Sequence, residues 1–318
     1  MMVPSSLRIV FMGTPQFAVP SLERLVAEDH RIVGVYTQPD RPAGRSGVPL
    51  GSPVKRVAAQ HGLPLYQPRS LRRSEEHDRL RQLKPDLLVV AAYGLILPHQ
   101  VLDVPRYGGL NVHPSLLPRH RGASPVAGAL LAGDKETGVS IMLMDAGMDT
   151  GPVVAQRRVS IEPEDNAGTL TDRLAQVGQE LLAETIAPWI SGAIHPVSQD
   201  EAQATYTRLL TKEDSVIDWS TPAEEIARRI RAYAPWPGSA TRWGGRRLEV
   251  LEAEPIVAEV AGEPGTVVAL SPGSAAVVTG VGALALKRVR LEGRRPLSIQ
   301  EFLRGARSII GSRLELPP

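Results

Sequence analysis

Apolar positions over the first 190 residues alternate between two periods. LRIVFMG (7–13), RIVGVYT (31–37) and DLLVVAAYG (86–94) are short, nearly continuous apolar runs, and GLNVH (109–113) is a fourth. Their length and composition predict strands buried in a sheet covered on both faces. Between them, Phe17, Leu22, Leu25 and Val26 recur at roughly helical spacing over 16–28, and helical patterns follow at 54–60, 70–83 and 123–132. TGVSIMLMDAGMDTG (137–151) predicts a strand running into an acidic, glycine-bearing turn. VVAQRRVSI (153–161) is its expected hairpin partner, and TLTDRLAQVGQELLAETIAPWI (169–190) a long amphipathic helix. Strands alternating with helices predict an α/β architecture: a Rossmann-like, mostly parallel sheet with helices on both faces.

The pattern changes beyond residue 190. Residues 191–220 predict a linker with little regular structure. After a helical segment, TPAEEIARRIRAY (221–233), come five short strand-like runs, SATRW, RRLEVLEAE, GTVVAL, SAAVVTG and ALALKRVRL, separated by turns rich in glycine and proline. They predict a small antiparallel β-barrel of the oligonucleotide-binding (OB) type. The expected organisation is a first domain over 1–190, a linker over 191–220 and the barrel over 221–318.

Composition agrees with a globular chain. Of 318 residues, 42% are hydrophobic and only 4% aromatic, so the core is expected to be aliphatic. No apolar run is long enough to span a bilayer, and there is no cysteine, which excludes disulfides and thiol catalysis. A cytoplasmic protein without membrane association is the expectation. Net charge is only +2, but residues 287–307 carry seven basic side chains against Glu292 and Glu301, and 242–247 (RWGGRR) add three arginines. Such a run is either a solvated face or a patch for a polyanion such as nucleic acid.

The chemistry-bearing stretch is NVHPSLLPRHRGASP (111–125). Asn111 and His113 alternate with Leu110 and Val112, as side chains on one face of a strand do. Pro114 and Pro118 then end regular structure. Two polar side chains thus stand at a strand end, where open α/β sheets bind ligands. The turn after the first strand, MGTPQF, lacks the three glycines of a dinucleotide fingerprint, and there is no phosphate-binding P-loop. MDAGMDTG supplies Asp145 and Asp149; a carboxylate beside His113 makes an acid–base pair tunable near neutral pH, and an asparagine amide can donate to a developing oxyanion. Together they suit acyl transfer to an amine. A structural histidine, or a metal site built from His113, His120 and Asp149, are the alternatives the residues leave open.

At this point the chain resembles the folate-dependent formyltransferases. These share an Asn-x-His followed by Ser-Leu-Leu-Pro, Arg-Gly and a later Asp-Thr-Gly, as in NVHPSLLPRHRGASP and MDAGMDTG. MGTPQFAVPSL, TQPDRPAGR, SPVK, AAYGLILP, IDWS (217–220) and IRAYAPWPGS (230–239) are similar to the branch that acts on aminoacyl-tRNA. The resemblance implies 10-formyltetrahydrofolate as donor, the methionine amine on charged initiator tRNA as acceptor, a monomer, and no metal. It implies catalytic roles for Asn111, His113 and Asp149: Asn111 and a protonated His113 at the oxyanion, Asp149 orienting His113 and helping to remove the amine proton. Folate would be held by Ser115, Leu116, Leu117 and Pro118, largely through backbone groups, with the pterin near the loops 95–97 and 145–149. Arg121 would position rather than react. Arg41 and Arg45 in the loop 38–53 would meet the tRNA, although SGVPLG in that loop lacks the lysines relatives often carry. Arg294 and Arg295 would contact tRNA from a C-terminal barrel domain. An amino-sugar formyltransferase acting on a sugar nucleotide, with the same catalytic residues, is the other member class the head fits. A nucleic-acid-binding module that has lost catalysis would not need Asn111, His113 and Asp149 intact.

Overall fold

The computed structural model describes residues 6–42, 49–256 and 260–315. Two compact units emerge: residues 1–125, 136–160 and 171–207 form one, and 126–135, 161–170 and 208–318 the other.

In the first unit, β1 (Arg8–Gly13), β2 (Arg31–Tyr36), β3 (Leu65–Tyr66), β4 (Leu87–Ala91), β5 (Gly109–His113), β6 (Glu136–Leu143) and β7 (Val153–Ser160) make one sheet in the order β7-β6-β5-β4-β1-β2-β3. From β3 to β5 the pairing is parallel; β6 and β7 run antiparallel at the other edge. The central strands are buried along their length, which is why they read as apolar runs. Edge strand β7 instead alternates half-buried and exposed positions over most of its length. Helices α1 (Val19–Ala27), α2 (Pro53–Gln60) and α3 (Ser74–Leu83) connect the parallel strands. Helix α2 starts with Pro53 behind an N-cap, Ser52, whose hydroxyl accepts from Lys55 N at 3.0 Å.

Two further helices follow in sequence, α4 (Pro125–Ala132) and α5 (Ala167–Ser191). Gly178 of α5 sits so close to the sheet that an added Cβ would lie 2.9 Å from Val112 Cγ1. Val112 therefore faces α5, and its neighbours Asn111 and His113 face the opposite side of β5.

The second unit carries α6 (Ala223–Ala232) and the antiparallel strands β8 (Ala240–Trp243), β9 (Arg246–Ile256), β10 (Val267–Ser271), β11 (Ser274–Val278) and β12 (Ala283–Leu291), ordered β8-β9-β12-β11-β10. Residues 311–315 join the two outer strands: Val267 N donates to Ser312 O at 2.9 Å, and Arg242 and Glu315 exchange backbone bonds at 2.9 and 3.0 Å. The curved sheet is thereby closed into a barrel. Its interior is aliphatic, with Leu248, Val250, Val267, Val277, Leu284 and Val289, plugged by Trp219, Ile226 and Ile230 and by Phe302 of α7 (Ile299–Gly305). A reciprocal pair of bonds between Ser298 and Glu301 starts α7. All five strand-like runs of the sequence are strands here.

Candidate active site

Asn111 and His113 are buried on β5, pairing across the sheet with Met142 and Ser140 of β6. Among the described residues no hydrogen bond engages the Asn111 side-chain amide. A buried amide with both donors uncommitted is suited to a ligand oxygen, because leaving it unpaired costs free energy.

The loop after β5 is tied from below by Ser140. Its hydroxyl donates to Ser115 O at 2.6 Å and accepts from Leu117 N at 3.1 Å and from Gln156 Nε2 at 2.9 Å; Gln156 also reaches Leu117 O at 2.8 Å. The Ser115 hydroxyl donates to Arg119 O at 2.6 Å. Ser115 and Leu117 are buried, whereas Leu116 and Pro118 remain half-exposed. The backbone groups that the sequence assigned to folate are thus largely occupied within the protein, and the loop offers a rigid wall with two partly open side chains. Ile96, 70% exposed, and Met148, 58% exposed, present apolar surface on the two loops expected to flank the pterin.

Asp149 comes from the turn between β6 and β7. Asp145 organises that turn, its Oδ1 accepting from Gly147 N at 3.0 Å and from Thr150 Oγ1 at 2.8 Å. A Cβ on Gly151 would meet Leu143 O at 1.9 Å, so the motif needs glycine there for closeness. Asp149 itself adopts φ 56°, a left-handed conformation that costs a non-glycine residue about 1–3 kcal/mol. Its Oδ2 accepts from Gly122 N at 2.7 Å, and its Oδ1 stands 3.7 Å from His113 Nδ1. His113 Nε2 faces His120 O at 3.2 Å.

These contacts set the proton state of His113. Burial lowers its pKa below 6.5, while Asp149 and the His120 carbonyl pull it partly back. The resting ring is therefore neutral, its proton on Nε2 donated to His120 O, and Nδ1 is the open basic nitrogen facing Asp149. Desolvation outweighs the carboxylate in this direction, which favours a neutral resting ring where the sequence expectation has a protonated His113.

Sequence reasoning missed part of the site's surroundings. The stretch read as linker folds back onto the loop after β5: Tyr206–Thr207 pairs with Arg121–Gly122, Thr205 Oγ1 accepts from His120 N at 2.8 Å, and Arg121 is wholly enclosed by Gln199, Glu201 and Tyr206. A Cβ on Gly122 would meet Thr207 O at 2.4 Å, which accounts for the glycine of the Arg-Gly motif.

Three of the seven basic residues at 287–307 are matched across strands. Lys287, Arg288 and Arg290 of β12 pair with Glu254, Glu252 and Glu249 of β9. The turns at 244–245 and 292–295 lie side by side, Glu292 N donating to Arg247 O at 2.9 Å and Arg246 reaching Glu292 O. Arg246, Arg294 and Arg295 are therefore gathered at one end of the barrel, all exposed, with Arg295 3.8 Å from Glu301. Arg41 lies in a two-residue strand paired to Pro49–Leu50; its side chain, and Arg45 altogether, lie outside the described residues. No helix among the described residues is long and apolar enough to cross a membrane.

A parallel sheet bearing an amide, an imidazole and a carboxylate at one strand end, followed by a small barrel, defines a group-transfer enzyme. The formyl transferase profile matches residues 7–186, and the profile of the formyl transferase C-terminal domain matches 209–307. The chain belongs to the formyl transferase family. It is 50% identical over 310 residues to a methionyl-tRNA formyltransferase of Roseiflexus sp. (strain RS-1), covering 97% of this chain and 95% of that protein. It is 48% identical over 314 residues to one of Dehalococcoides mccartyi, covering 99% of each. Among solved structures, an N-formyltransferase of Helicobacter canadensis, complexed with folinic acid and dTDP-3-aminofucose, shares the fold with a TM-score of 0.65 at 17% identity, over 88% of this chain and 99% of that one. HypX of Aquifex aeolicus in complex with tetrahydrofolic acid gives 0.62 at 19% identity, over 94% of this chain and 47% of that one, so the chain spans about half of HypX.

Proposed function

We propose that the protein transfers a formyl group from 10-formyltetrahydrofolate to the amino group of methionine on charged initiator tRNA. Full-length identity near one half to proteins of that activity supports this reading, and the uncommitted Asn111 amide on the same strand face as His113, itself 3.7 Å from Asp149, is the observation that carries its mechanism.

In this reading the methionine amine attacks the formyl carbon. Asn111 donates to the carbonyl oxygen as it becomes anionic. His113 accepts the amine proton on Nδ1, and Asp149, 3.7 Å away, stabilises the imidazolium. The bond from the formyl carbon to folate nitrogen then breaks, and the proton from His113 passes to that nitrogen, leaving tetrahydrofolate and the formylated amine. The walls for the donor are Leu116 and Pro118, with Ile96 and Met148 supplying apolar surface for a flat ring. In the second unit, Arg294 and Arg295 with Arg246 supply phosphate contacts, and Arg41 and Arg45 meet the tRNA from the first. The protein acts as a monomer in the cytoplasm.

The test offers the enzyme the donor with charged initiator tRNA, charged elongator tRNA, free methionine and a nucleotide-linked amino sugar. Formylation confined to charged initiator tRNA, and abolished by prior RNase treatment of the acceptor, is the expected result. Transfer to the amino sugar at comparable efficiency would replace this reading with the sugar-nucleotide one.

A further inference from the structure

Arg121 has no part in the chemistry above, yet all five of its N–H groups are engaged. Nε and Nη2 donate to Gln199 Oε1 at 3.1 and 2.9 Å, Nη1 and Nη2 to the two carboxylate oxygens of Glu201 at 2.9 and 2.7 Å, and Nη1 to the Tyr206 hydroxyl at 3.0 Å. A guanidinium has donors only, so it fixes which end of the Gln199 amide points toward it: the oxygen. The Gln199 nitrogen is thereby turned the other way, where it donates to Asp149 O at 2.8 Å and to Gly151 O at 2.6 Å. Asp149 is the residue held at φ 56°, a conformation that persists only where surrounding bonds enforce it. Its side chain is fixed separately by Gly122 N.

We propose that Gln199 is a positioning residue for Asp149. Its amide, oriented by Arg121, clamps the Asp149 backbone in the left-handed conformation that turns the carboxylate toward His113. This rests on the reading that Asp149 serves His113 in formyl transfer.

The experiment measures kcat and both KM values for Gln199→Met and Gln199→Glu, each alone and with Asp149→Asn. Methionine removes the amide; glutamate keeps the shape and the acceptor for Arg121 but loses both donors. Both single variants should lower kcat about tenfold or more, with KM changed less than about twofold, since small displacements of a reacting group cost rate rather than binding. In the Asp149→Asn background Gln199→Met should cost nothing further, because residues acting as one unit are not additive. Full kcat in folded Gln199→Met and Gln199→Glu, or losses that simply multiply, would overturn the proposal. Wild-type activity in Asp149→Asn alone would instead sink the role given to Asp149. Should the methionine variant not fold, Glu201→Gln, which loosens Arg121 from a carboxylate 67% exposed, must lower kcat in the same sense; an unchanged kcat there counts against the clamp.

Discussion

His113 Nδ1 and Asp149 Oδ1 face each other at 3.7 Å, with the imidazole 5% and the carboxylate 18% exposed. The separation is too long for a hydrogen bond and short enough for one charge to govern the other. It is the geometry of a base whose conjugate acid is stabilised only once the proton has arrived.

That arrangement has a signature in pH. Because burial holds His113 below 6.5, kcat/KM should fall on the acid side through a value lower than that. Asp149→Asn removes the charge that raises His113, so the acid limb should move lower still while the plateau drops. The folded state shares the sign. A depressed histidine pKa contributes stability that is complete above the unfolded value of about 6.5 and is lost as pH falls below it. Kinetics from pH 5 to 8 on both proteins check this; a wild-type limb at or above 6.5 contradicts it.

Asn111→Ala should lower turnover by about two to three orders of magnitude, the usual consequence of losing one oxyanion donor. Folate binding, measured by fluorescence titration, should be nearly unchanged, since no hydrogen bond among the described residues depends on that amide. Near-normal turnover would remove Asn111 from the chemistry.

Ser140→Ala should act through the loop and not through the reacting atoms. It leaves Leu117 N and Ser115 O without their partner, at about 1–3 kcal/mol for each buried group stranded. Thermal unfolding should shift down, and KM for the folate donor should rise more than kcat falls. An unaltered melting temperature would show that water replaces the hydroxyl.

Sequence made the parallel strands legible because burial on both faces leaves no polar interruption, as in LLVVA of β4. It also exposed Asn111 and His113, since polar residues inside an apolar strand are conspicuous. Leu65–Tyr66, only two residues long, carries no period to detect. The basic run could not be divided into paired and open charges from the sequence, because linear counting cannot see that Arg288 and Arg290 stand across a ladder from Glu252 and Glu249. Gln199 escaped because its partners are 48 to 78 residues away and glutamine has no distinctive pattern in a segment whose strands and helical turns are only two to four residues long.

That ladder sharpens the expectation for nucleic acid. Arg294→Ala with Arg295→Ala should weaken tRNA binding and reduce the slope of log affinity against log salt by roughly 0.7–0.9 for each phosphate no longer neutralised. Arg288→Ala removes a residue of the same charge already matched by Glu252, and should leave the slope unchanged. Filter binding across a salt series distinguishes the two; equal slopes in all three proteins would mean that this end of the barrel does not meet phosphate.

The short pairing of Tyr206–Thr207 with Arg121–Gly122 also sets where evolution can lengthen or shorten this chain. From Val197, which exchanges backbone bonds with Val153 at 2.8 Å, to Thr207, every few residues are in register with the first unit's sheet or the loop after β5. One inserted residue there would slide Gln199 off Arg121 and strand an enclosed cation. Gly192, at φ 75°, with Ala193 and Ile194, whose amides both reach Pro188 O, closes helix α5, and the next strand pairing comes only at Val197, so His195 and Pro196 are the least constrained positions between them. Length variation between homologous chains, and permissive sites for inserted tags, should therefore concentrate at 195–196 and stop abruptly at Val197.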